Sequence, residues 1–348
     1  MTLLQEKPLN IPQGRIDMTH GSGGRASARL IEQVFASVFD NPALAESNDQ
    51  ARLTLPEPGM RLAFSSDSFV IFPLFFPGGD IGSLAVHGTV NDVAMAGAKP
   101  LWLSAGFIIE EGFPLSDLDR IARSMAAAAH NCGVSIVTGD TKVVEKGKAD
   151  GLYINTAGIG AFRAELDLSA KRVQAGDAIL LSGPIGDHGI AILAHREKMS
   201  FAEPLLSDSA PLNGLVEHML ASGVDIHALR DPTRGGLATT LNEIAKTAEV
   251  GMRLEESAIP IRESVRGACE LLGLDPLYIA NEGRLIAFCP QAQADKLLQA
   301  MRAHDKGSEA AIIGSVVPDA RHWIEMRTPL GGSRIVDWLN GEPLPRIC

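Results

Sequence analysis

Apolar residues recur at helical spacing at Leu30, Ile31, Val34, Phe35 and Val38, which predicts a helix over 26–39. The run His20-Gly-Ser-Gly-Gly24 lies just before it, so a glycine turn feeds that helix's N-terminus. Alternation over 61–66 predicts a strand that stops at Asp67, and 80–96 is helix-like. Further along, 101–109 reads as a strand and 115–131 as a long alanine-rich helix. A short apolar strand at 134–138 ends at Gly139-Asp-Thr-Lys142, and another strand follows at 152–160. These make an α/β (α+β) first domain over 1–165, whose polar, proline-containing start at 1–19 reads as an arm rather than core. The polar stretch 163–172 is the best boundary. A strand and turn at 173–183 open a second domain over 173–340, with helices near 188–197, 211–222, 235–248 and 291–304 and a strand at 284–289. Two prolines in 341–348 predict an extended, weakly packed, mobile tail.

The 348 residues are 45% hydrophobic and 21% charged, ordinary globular usage that excludes a disordered or fibrous chain. A net charge of −11 repels phosphate backbones, and two Tyr and three Trp leave few rings for stacking bases, so nucleic acid is not an expected partner. No run approaches the ~20 apolar residues of a membrane span, and the N-terminus shows no basic-then-apolar leader, so cytoplasmic residence is the expectation. Cys132, Cys269, Cys289 and Cys348 form no close-spaced zinc or redox pair. The first three read as core residues; the fourth ends the sequence.

The P-loop, Rossmann and protein-kinase signatures are all missing. What stands out is three acidic residues where elements end: Asp67, Asp92 beside Asn91 on an otherwise small and apolar helix, and Asp140. Strand-end carboxylates suit Mg²⁺, which prefers one or two carboxylates plus phosphate oxygens, and Lys142 has the charge to neutralise a transferring phosphoryl group. The backbone N–H groups of Gly21 to Gly24 add donors for an anion. Against this, lone Asp residues at strand ends are commonly turn or cap residues. Asp231-Pro-Thr-Arg-Gly-Gly236 reads as a helix cap with the option of a second phosphate site, and Asn281-Glu-Gly283 as a hairpin turn with Glu282 facing solvent. His20 and His87 each read as a base or as a packed histidine. Cys348, on a proline-stiffened tail with a reach of roughly 25 Å, has the freedom to enter a cleft and withdraw.

Taken together, His20 to Gly24, Ser66-Asp-Ser68, Pro73 to Gly79, Asn91-Asp92, Thr138 to Lys142, Asp231 to Gly236, Asn281-Glu-Gly283 and the terminal Pro345-Arg-Ile-Cys348 resemble the nickel–iron hydrogenase maturation dehydratases, over nearly the whole chain. These are members of the aminoimidazole ribonucleotide synthetase superfamily. The resemblance implies an N-terminal α/β domain whose sheet pairs with a second copy into a dimeric barrel, a C-terminal α+β domain, and ATP in the cleft between them. It implies Mg²⁺ on Asp67, Asp92 and Asp140. Nucleotide contacts fall to His20, Gly21, Ser22, Gly23, Gly24, Asn91, Gly139, Thr141 and Lys142, with Glu282 as a base and Cys348 as the substrate carrier. It also implies a homodimer, a carbamoyltransferase that loads Cys348, and an iron-carrying scaffold complex that receives cyanide.

Two other readings stand beside it. In a small-molecule kinase or synthetase of the same superfamily, Cys348 would be incidental. A non-enzymatic thiol carrier would need no nucleotide.

Overall fold

The computed structural model describes residues 8–22, 24–45, 50–199, 201, 204–339, 341 and 346–347. The helix expected over 26–39 forms as a continuous stretch of three segments, Arg25–Leu30, Ile31–Ala36 and Ser37–Phe39 (α1), buried through Leu30, Val34, Phe35 and Phe39. Strand β1 (Arg61–Phe69) follows, then a small ribbon of β2 (Phe75–Phe76) and β3 (Gly79–Asp80). Helix α2 (Ile81–Met95) begins where the Asp80 carboxylate accepts the N–H groups of Gly82 and Ser83, a capping box that satisfies donors left open at its first turn. Strand β4 (Lys99–Glu110), helix α3 (Leu115–Cys132), β5 (Ser135–Val144) and β6 (Leu152–Phe162) complete a four-stranded sheet in the order β1-β6-β4-β5. Helix α3 stops because Gly133 takes a left-handed conformation, φ 70°, that costs glycine nothing. The sheet is open within one chain.

Strands β1 and β5 are longer than the sequence predicts. Asp67 is inside β1 rather than beyond its end, and Asp140 and Lys142 lie within β5 rather than in a turn after it. Polar residues, on both faces of β1 and on the outer face of β5, interrupt the apolar pattern without interrupting the hydrogen-bond ladder. The arm is likewise more anchored than expected. Ile16 is buried, its N–H donates to the Phe113 carbonyl, and its own carbonyl accepts from Gly112.

The second half is built on a seven-stranded mixed sheet, in the order β13-β12-β9-β11-β7-β10-β8. Its strands are β7 (Asp177–Leu181), β8 (Ala228–Arg230), β9 (Gly251–Glu255), β10 (Ile286–Pro290), β11 (Ala311–Val317), β12 (Ile324–Arg327) and β13 (Ser333–Ile335). Its helices are α4 (Asp187–Arg196), α5 (Asn213–Ala221), α6 (Gly236–Ala248), α7 (Glu263–Leu272) and α8 (Ala294–Arg302). Helix α6 covers one sheet face through Leu237, Leu241 and Ile244. Helices α5 and α8 cover the other through Leu215, Met219, Leu297 and Met301. Interior strand β7 is therefore buried at every position.

The two halves share core. Ala94 and Met95 of α2 join the α5–α8 cluster, while Ile190, Val265 and Ala268 of α4 and α7 join the first-domain cluster, which also takes in Ile347. Helix α2 is thus wedged between its own sheet, α3 and the second domain, and is buried on all sides.

Candidate active site

The candidate residues fall into two groups in one chain. At the β5 edge, His20, Gly21, Gly139, Asp140, Thr141 and Lys142 line a cavity of about 300 Å³ whose apolar wall includes Phe35 and Phe107, stacked 4.4 Å apart. All of its lining comes from the first domain, not from between the domains. The His20 Nδ1 lies 3.1 Å from both the Asp17 N–H and the Asp17 carboxylate. Ser22 turns back on the Thr19 carbonyl through its Oγ (2.9 Å), Gly24 sits at the N-cap of α1, and Gly23 lies outside the described residues.

The second group lies at the opposite end of the sheet. Asp67 points inward from β1 toward α2, where the Ser65 hydroxyl donates to Asp92 at 2.7 Å. Burial raises the Asp92 carboxyl, and the charge of Asp67 adds to it. Burial, and then the charge of Asp92, pushes Asp231 up to about 7. Arg230 opposes both. Glu282 belongs here too. It is 4% exposed, and burial reinforced by Asp208, Asp231, Asp67 and Asp92 drives its carboxyl well above the usual carboxylate range. The hairpin expected at 281–283, with Glu282 in water, does not form. Asn281 instead accepts the Gly186 N–H and donates to the carbonyls of Pro232 and Ile279, which fastens the turn inside the second domain.

Asp140 is not with the other two aspartates. In register, Ser68 of β1 faces Asn155 of β6, Asn155 faces Gly106 of β4, and Gly106 faces Asp140 of β5. Three strand spacings, about 14 Å, separate the two edges, and Asp140 is on the outer face while Asp67 is on the inner one. Among the described residues no three acidic, His or Cys side chains of one chain converge in metal-binding geometry. Asn91 joins neither group as a ligand. At 2% exposure it accepts the Leu212 N–H and donates to the carbonyls of Ala210 and Glu282, tying α2 to the second domain. His87, one turn earlier, meets Ser209 at 3.1 Å, and burial pushes it down to about 4.

Sequence reasoning missed the segment Ser207-Asp-Ser-Ala210, although it repeats the tripeptide Ser66-Asp-Ser68. Asp208, its side chain buried, accepts the Glu282 N–H at 3.0 Å, and the Glu282 carbonyl accepts from Ala210. The fit is close enough that a Cβ on Gly283 would come 1.9 Å from the Asp208 carbonyl oxygen. Ser207 bonds His188 at 2.7 Å, and His188 bonds the carbonyl of Ile347. The described end of the tail is therefore docked rather than loose: Ile347 is 6% exposed, and the Arg346 carbonyl accepts from the Phe72 N–H and from Arg196. Cys348 lies outside the described residues. Burial pushes the Cys132 and Cys289 thiols up to about 12 and Cys269 up to about 11, so these three are inert core residues, as the sequence predicts.

The two halves of the fold belong to a known class. Residues 47–162 match the family model "AIR synthase related protein, N-terminal domain", and 174–326 match "AIR synthase related protein, C-terminal domain". Within that class, Carbamoyl dehydratase HypE of Cupriavidus necator is 60% identical over 343 residues, 99% of this chain and 97% of that one. A crystal structure of HypE in complex with ATP superposes with a TM-score of 0.91 at 52% identity, covering 95% of this chain and 99% of that chain. A crystal structure of a HypE–HypF complex matches with a TM-score of 0.78 at 50% identity, over 89% of this chain and 99% of that one. The chain belongs to the HypE family of carbamoyl dehydratases. Among the described residues no helix is long and apolar enough to cross a membrane.

Proposed function

We propose that this enzyme dehydrates a carbamoyl group carried on Cys348 to a thiocyanate at the expense of ATP, and so supplies cyanide for the iron of nickel–iron hydrogenase. One observation carries the reading. The docked end of the tail and Glu282 are held by neighbouring residues of one segment, Ser207 through His188 to Ile347, and Asp208 and Ala210 to the Glu282 backbone. The described end of the tail and a buried carboxyl group, its proton affinity raised well above the usual carboxylate value by burial, thus hang on one segment.

Hydroxide is a poor leaving group, so S–C(=O)NH₂ must lose its oxygen as phosphate. Glu282 takes an amide proton while the carbonyl oxygen attacks the γ-phosphorus of ATP and ADP departs. A second deprotonation then expels phosphate and leaves S–C≡N. Lys142 neutralises charge on the transferring group, and the cavity edged by His20, Gly21, Gly139 and Thr141 receives the nucleotide, with positioning supplying most of the acceleration. Asp67 and Asp92 carry clustered oxygen donors opposed by Arg230, which fits a hard cation. Mg²⁺ held there, with Asp140, would supply charge neutralisation on phosphate oxygens.

Asp140 and Lys142 stand a sheet's width from Asp67 within one chain, so a second copy completes the site. The first domain (1–165) offers the surface for it: Leu62, Phe64 and Ile108 lie exposed on the outer face of its sheet, Phe64 at 71%. A second sheet laid over that face would make the dimeric barrel, leaving the α+β domain (173–340) to hold Glu282 and the tail (341–348) to move between partners. A crystal structure of a HypE–HypF complex supports a protein partner for this chain; loading by a carbamoyltransferase and handover to an iron-carrying scaffold in the cytoplasm belong to the same proposal.

Glu282→Gln tests the assignment. The variant is expected to accept carbamoyl on Cys348 but to dehydrate it about 10²- to 10⁴-fold more slowly, followed by intact mass. Dehydration at the wild-type rate would remove Glu282 from the chemistry.

A further inference from the structure

We propose that His188 is a positioning residue that seats the C-terminal tail for dehydration, through a hydrogen bond to the carbonyl of Ile347; the inference rests on the carrier-tail reading above. His188 is fully buried in the first turn of α4, and its ring meets Phe76 edge-on at 5.8 Å, which fixes its plane. Its Nε2 lies 2.5 Å from the Ile347 carbonyl oxygen and its Nδ1 lies 2.7 Å from Ser207 Oγ. A carbonyl can only accept, so Nε2 carries the proton. Burial lowers the proton affinity of the ring, which leaves Nδ1 bare to accept from the Ser207 hydroxyl. Ser207 Oγ in turn accepts the Ser209 N–H at 3.0 Å, so its single proton is free for His188. Every donor in the chain has one assignment, and the last of them points at the tail.

The preceding residue is held as well. The Arg346 carbonyl accepts from the Phe72 N–H (3.1 Å) and from Arg196 at the far end of α4 (3.0 Å). Its guanidinium pairs with Asp150 at 2.9 Å and lies over the Phe72 ring. Two successive tail carbonyls are thus fixed by α4 and the 72 loop, immediately before the residue that carries the cargo. A clamp on main-chain carbonyls acts only on the inserted tail. It helps the step that needs insertion and does nothing for the step that needs the thiol outside.

That difference gives the test. The full-length protein is loaded by its carbamoyltransferase, given Mg-ATP, and followed by intact mass in a single turnover. His188→Ala should slow dehydration about 10- to 100-fold while the loading rate stays at or above the wild-type value, because the tail is released. His188→Gln, whose amide N–H can reach the same carbonyl, should recover much of the loss. Arg196→Met, a change at the half-buried end of α4, should show the same split between the two steps and serves if the alanine variant does not fold. Unchanged dehydration in His188→Ala and Arg196→Met, or equal slowing of loading and dehydration, would overturn the clamp. A wild-type chain that loads but never dehydrates would instead remove the reading on which it rests.

Discussion

Glu282 shows what a single residue owes to its surroundings. From sequence its neighbours Asn281 and Gly283 spell a hairpin turn, since local composition carries no information about what packs over it. The determinant is distant. Asp208, more than seventy residues earlier, and the fasteners on Asn281 hold the segment inward. His87 was equally ambiguous, as base or packed residue, and burial against the second domain decides for the packed form. A histidine pushed from 6.5 down to about 4 binds fewer protons folded than unfolded. Its contribution is present above pH 6.5 and is lost as pH falls toward 4, by up to about 3 kcal/mol. Urea unfolding at pH 7 and pH 4.5 should therefore show a smaller acid-induced drop in His87→Gln than in wild type; an identical drop in both would assign the acid sensitivity elsewhere.

At the scale of elements, α2 was the most legible part of the chain and the most informative. A polar pair in a small apolar helix had to be used or paired, and Asn91 is paired, through three hydrogen bonds that cross to the second domain. Asn91→Ala takes the partner from the buried Leu212 N–H and the Ala210 carbonyl, while the Glu282 carbonyl keeps the Ala210 N–H. It should cost about 2–4 kcal/mol and broaden or split the thermal transition, as calorimetry would show. A single sharp transition with unchanged midpoint would mean that the helix is held by its apolar contacts alone. Strand ends were less legible. Runs such as Asp140-Thr-Lys142 look like turns because the outer face of an antiparallel or mixed sheet tolerates polar side chains. The short strands β8, β12 and β13 span three or four residues, too few for alternation to register.

On the scale of the whole molecule, the candidate residues could be picked out one by one, but the separation of Asp140 from Asp67 across one sheet could not, because register is a property of pairing between distant strands. That division is the ground for the proposed second copy. Phe64→Asp places charge on the exposed outer face of β1 and should break the proposed dimer into monomers in sedimentation. It would remove roughly 3–6 kcal/mol of symmetric apolar burial and suppress dehydration with the fold intact by circular dichroism. A fully active monomer would contradict the shared site.

The claim on which all of this turns is that the carbamoyl oxygen leaves as phosphate. Cys348 loaded with a carbamoyl group carrying a heavy oxygen isotope, then turned over with unlabelled Mg-ATP in unlabelled water, decides it. The heavy oxygen is expected in the released inorganic phosphate, one per thiocyanate formed. Unlabelled phosphate, with the heavy oxygen found in water or still on the cysteine, would contradict it.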